Sequence, residues 1–162
     1  MASNFADPNW EALTKTIAAM VVLAPEYVVV QVHGADGPNG GPYVQTLQEE
    51  DGYLTLEACS NSFLDVPLSN DQLLELLEMG WNSPEPEDGM PNYFRLVGPD
   101  ATPNEVAEFL VRTLADVYKV SIDSEFEMAP LELFIEVVEG DFGELSGMAF
   151  VQNVSDPREV GF

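Results

Sequence analysis

The chain carries one histidine, His33, and one cysteine, Cys59, so nucleophilic chemistry would have to run through this pair. An imidazole beside a thiol can activate it, and a serine triad would also have to use His33. The surroundings of both favour the plainer reading. His33 ends the β-branched run Tyr27–His33 next to the Gly-rich stretch Ala35–Pro42, where a polar strand terminus is ordinary. Cys59 ends an apolar strand face, where a thiol is usually buried and inert. No Gly-x-Ser-x-Gly elbow, Gly-x-Gly-x-x-Gly loop or Walker sequence is present. With 29 Asp and Glu, carboxylates are too common to single out a glycosidase pair. The loop Asp36–Gly41 has one carboxylate and lacks the repeated Asp of a calcium-binding EF-hand. A single cysteine excludes a disulfide framework and a Cys-based zinc site. The expectation is a non-enzyme with no catalytic residue, no metal and no cofactor.

Charge narrows the partners. Five Lys and Arg against 29 Asp and Glu leave a net −24, and neither Lys nor Arg occurs between Lys15 and Arg95. Binding nucleic acid or an anionic membrane requires cations that displace counterions, so both are expected to be repelled. Basic partners are attracted over roughly one Debye length, about 8–10 Å at physiological salt. The opening MASNFADPNW has no positive segment of the signal-peptide kind, and no apolar run reaches the length of a membrane span. A cytoplasmic protein is expected.

The elements follow from periodicity. Asp7-Pro8 caps and opens a helix whose Trp10, Leu13, Ile17, Met20, Val21 and Ala24 share one face, and Pro25 ends it. Tyr27–His33 is a strand. Tyr43–Gln48 and Tyr53–Cys59 form a hairpin around Glu50-Asp51-Gly52, because Asp-Gly takes the positive φ angles of a tight turn. Leu54, Leu56 and Ala58 share one face of its second strand; Tyr53, Thr55 and Glu57 share the other, partly wet, face. Ser69 with Gln72, and Thr102-Pro103 with Glu105, are capping boxes for two further helices, over Asn70–Met79 and from Pro103 to about Val120. Tyr93–Val97 is a strand between them. Leu131, Leu133, Ile135 and Val137 alternate with Glu132 and Glu136, which reads as a strand. The expected fold is α+β, a mostly antiparallel sheet with helices on one face, ordered α-β-β-β-α-β-α. Residues 1–121 form the domain and residues 122–162 a C-terminal extension with an acidic tail.

The segment Gly80–Gly98 closes a helix, crosses a loop broken by Pro84, Pro86 and Pro91, and enters an aromatic strand. Trp81 and Phe94 flank that loop and are expected to turn onto one core. Tyr43, Tyr53, Trp81 and Phe94 lie on or beside the sheet and are the candidate lining of a peptide groove with an acidic rim, suited to a basic or amphipathic segment.

These segments also resemble a known family. A Gly80-Trp81 after an acidic helix, a Pro-rich acidic loop and Pro91-Asn92-Tyr93-Phe94-Arg95 look like the type III secretion chaperone-like, YbjN-related peptide-binding chaperones of bacteria. So do the hairpin Pro42–Leu64 with its Asn61-x-Phe63-Leu64 exit, the closing helix Val111–Val120, and Trp10-Glu11 near the start. The resemblance spans about residues 7–121. It implies a peptide or protein client, and it implies a homodimer. The alternative is an acidic inhibitor or immunity-type protein that blocks a basic active site.

Overall fold

Helix α1, Pro8–Leu23, buries Trp10, Leu13, Ile17, Met20 and Val21 on the face that their three-and-four spacing creates. The buried Thr14 and Thr16 return their hydroxyls to the carbonyls of Trp10 and Ala12, at 2.8 and 3.1 Å, so neither burial leaves a polar group unmet. The computed structural model describes residues 8–24, 26–32, 42–61, 64, 67–121, 124–139 and 149–151. His33 and the loop Asp36–Gly41 lie outside them, and so do Phe63 and most of the C-terminal tail.

Strands β1 (Tyr27–Val32), β2 (Tyr43–Gln48), β3 (Leu54–Ala58), β4 (Tyr93–Val97), β5 (Glu125–Ala129) and β6 (Ala149–Val151) form one sheet in the order β4-β3-β2-β1-β5-β6. The pairs are antiparallel except β5 with β6. The α+β architecture is the expected one. The β2–β3 turn is set by Asp51 at φ 60° and Gly52 at φ 82°, as the Asp-Gly pair requires. Register places Val30 beside Val44 and Met128, and Val44 beside Ala58. Val28, Val30, Val44, Leu56, Ala58, Phe126 and Met128 thereby join the buried cluster with α1 and the other helices.

Helix α2 (Asn70–Met79) has a complete capping box of Ser69 and Gln72, and Gly80 ends it at φ 112°. Helix α3 (Pro103–Arg112) has its own box of Thr102 and Glu105 and runs on into a π turn, Thr113–Val117. Among the described residues no helix is long and apolar enough to cross a membrane.

Two expectations are corrected. The alternating stretch Leu131–Val137 is not a strand but lies in helix α4, Leu131–Glu139. Its first bond runs from the Phe134 N–H to the Pro130 carbonyl. Alternation assigned Phe134 to the wet face; instead Phe134 and Val137 are buried, with Leu131 packed against the same core at three-residue spacing. The strand of this region is β5, just before it, and both elements add to the sheet and core built by the first 121 residues. The second correction concerns Phe94, which does not share a core with Trp81. Pleating turns Tyr93, Arg95 and Val97 toward the helices, so Phe94 and Leu96 face the other way.

Candidate functional site: an acidic groove between α2 and α3

The four aromatics singled out in the sequence separate into two pairs. Tyr43 and Trp81 are enclosed, at 1% and 2% exposure, while Tyr53 is 41% exposed and Phe94 half-buried. Tyr53 and Phe94 lie on the sheet face away from the helices, along with the exposed Leu96.

Tyr43 anchors a buried polar cluster. Asn92 donates from Nδ2 to the Tyr43 hydroxyl at 2.9 Å and to Glu57 Oε1 at 3.1 Å, and its Oδ1 accepts the Ser60 N–H at 3.1 Å. Tyr118 donates its hydroxyl to the Cys59 carbonyl, and the Tyr43 N–H donates to Cys59 Sγ at 3.4 Å. Burial pushes the Cys59 thiol from its ordinary 9.0 up to about 12 and raises both Tyr43 and Tyr118. A thiol held protonated in this way is a packing group rather than a nucleophile. Its possible partner His33 lies outside the described residues. Among those residues no group of three or more His, Cys, Asp or Glu is placed to hold a metal ion.

Trp81 holds up a different surface. Its Nε1 donates to Thr113 Oγ1 at 3.1 Å, and its ring lies 4.9 Å from that of Phe109 on α3. The Arg95 guanidinium caps Phe109 with Cζ 4.8 Å from the ring centroid, and its Nη1 donates to the Met79 carbonyl at 3.4 Å, the C-terminal end of α2. Gly80 is required by its backbone, whose φ is that of a left-handed cap; a Cβ there would also stand 2.6 Å from Arg95 Nη1 and push that side chain aside. At the other end of α2, Gln72 donates from Nε2 to the Val117 carbonyl at 2.7 Å. Helix α2 is therefore fixed to α3 and its π turn at both ends.

Between those two ties the helices leave a groove of about 560 Å³. Met79, Phe109 and Val117 supply its apolar floor. Glu75 and Glu78 of α2 and Glu105, Glu108 and Asp116 from the α3 side supply its walls, with Arg112 as the one cation. Glu105 is the capping-box residue, and its bonds to Thr102 hold its carboxyl below the usual range, so it stays ionised. The arrangement can grip an extended or helical segment that is apolar on one side and cationic on the other.

Sequence reasoning missed this groove, because it followed the aromatics of the sheet. The readable signal was the spacing of carboxylates: Glu75 and Glu78, then Glu105 and Glu108, each pair three residues apart on one helix face.

Residues 6–131 match the family model described as T3SS (YopN, CesT) and YbjN peptide-binding chaperone 3, and the chain belongs to that family. The match runs past the span legible from motifs and takes in strand β5. No curated protein and no solved structure matches the chain.

Proposed function

We propose that the protein is a non-enzymatic chaperone or adaptor that holds a basic, amphipathic segment of a client protein in the groove between α2 and α3. The observation that carries this reading is the composition of the groove: an apolar floor of Met79, Phe109 and Val117 under five carboxylates and a single arginine. Family membership supports peptide binding as the activity. The apolar floor beneath the groove carboxylates supports a gripped amphipathic segment over the alternative of an acidic plug for a basic active site, which would need charge alone. Trp81 serves from beneath, setting the height of Phe109.

The test is titration of the full chain with a labelled amphipathic Lys/Leu peptide. Replacing Glu75, Glu78 and Glu108 together by Gln should weaken binding about tenfold or more and flatten its salt dependence. Phe109→Ser should weaken binding at every salt concentration. Full affinity in both variants would overturn the assignment of the groove.

A further inference from the structure

Arg95 stands out in a chain of net charge −24. It is half-buried, stacked on Phe109 and bonded to the Met79 carbonyl, yet no carboxylate of the described residues lies within 4.0 Å of its nitrogens. Two contacts leave most of the guanidinium donors unspent. Arg95 lines a second cavity of about 210 Å³ between β4 and the first turns of α3. Its walls include Leu56, Val97 and Val106, and it shares Glu105 and Phe109 with the acidic groove, so the two cavities adjoin at those side chains. The two cavities differ in charge. The acidic groove carries five carboxylates and one arginine, whereas the β4 cavity sets the Arg95 guanidinium against a single carboxylate, Glu105, near the N-terminus of α3.

We infer that this second cavity binds an acidic side chain of the client, with Arg95 as its anchor. The client is thus a mixed-charge segment, with cationic residues over Glu75, Glu78 and Glu108 and one glutamate or aspartate in the β4 cavity. The guanidinium fork matches a carboxylate, and the aliphatic walls suit the methylene stem of a glutamate better than a chain terminus, which would bring a backbone and a side chain together. Arg95 thereby fixes the register and direction of a segment that the acidic groove alone would let slide. The inference rests on the proposed groove binding.

The probe is a set of Lys/Leu peptides with one Glu scanned along the sequence, each paired with its Gln twin, made with free and amidated C-termini. On overall charge, every Glu peptide should bind this acidic protein less tightly than its twin. The inference predicts the reverse at one register, a preference of about tenfold for Glu. Arg95→Gln should abolish that preference, read as the ratio of Glu peptide to Gln twin within the variant, so that any loss of groove shape common to both twins cancels. Arg95→Lys, which keeps the charge but loses the fork, should reduce it. Far-UV circular dichroism checks that each variant is folded, and the wild-type comparison of twins stands without them. Weaker or equal binding by Glu at every register would overturn the inference and leave the groove assignment intact. A preference that follows the free C-terminus would overturn the choice of a side-chain carboxylate. Failure of every peptide to bind would overturn the groove assignment and this inference with it.

Discussion

The Trp81 indole donates to the Thr113 hydroxyl at 3.1 Å across the junction of α2 with the π turn that follows α3. The Thr113 hydroxyl donates in turn to the Phe109 carbonyl at 2.7 Å. One side chain from the end of α2 is thus tied both to the backbone that carries Phe109 and, through ring contact, to Phe109 itself.

The two tryptophans should respond differently to the same change. Trp81→Phe loses a buried hydrogen bond as well as volume and should cost about 1–3 kcal/mol more than the packing change alone. Trp10 is fully buried edge-on to Phe126, and its indole nitrogen has no partner among the described residues. Trp10→Phe therefore forfeits packing only. Urea midpoints of the two variants make the comparison, and a Trp10→Phe cost equal to or above that of Trp81→Phe would contradict it.

The two capping boxes are not equivalent. Glu105 makes its capping bonds only to Thr102 at its own helix end, so Glu105→Gln should be the milder of the two changes. Gln72 accepts from the Ser69 N–H and also donates to the Val117 carbonyl. Gln72→Glu keeps the first bond and sets a carboxylate against a carbonyl in the second, at a cost of about 1–3 kcal/mol. Thermal denaturation of both variants reads the difference.

Alkaline stability follows from the buried cluster around Cys59. The folded-state values of Cys59, Tyr43 and Tyr118 are raised by burial, so the native protein retains protons that the unfolded chain gives up. Their stabilising contribution is complete below the ordinary thiol value of 9.0 and is lost as pH climbs from there toward about 12. Urea midpoints should hold steady near neutrality and fall above the thiol's ordinary range, less steeply in Cys59→Ala. A midpoint that rises with alkalinity would have the sign wrong.

Most of the first 120 residues was legible in sequence because local chemistry and tertiary demand agree there. Asp51-Gly52, Ser69 with Gln72, Gly80 and Thr102 with Glu105 each name their own conformation, and the structure adopts all of them. The stretch after residue 121 was harder. Leu131–Val137 satisfies both periods, and only the buried Phe134 separates helix from strand. The groove was least legible, because Met79, Phe109 and Val117 carry no chemical signature. They form a floor only when Trp81, Arg95 and Gln72 set α2 against α3.

Strand β5 tests whether the last forty residues matter to the fold. It pairs with β1 and buries Phe126 and Met128 fully. Phe126→Ala should cost about 3–5 kcal/mol, the usual range for a large core aromatic. A chain ending at residue 121 should lose its cooperative thermal transition; an unchanged transition would contradict the role given to β5.

A client segment is expected to lie in the groove between α2 and α3. Backbone amide shifts of the labelled protein, followed while an amphipathic Lys/Leu peptide is added, test it most directly. The largest changes are expected at Glu75, Glu78, Met79, Phe109 and Val117, with Tyr53 and Leu96 on the opposite sheet face unmoved. Changes centred on Tyr53, Phe94 and Leu96, with the α2–α3 groove silent, would contradict it.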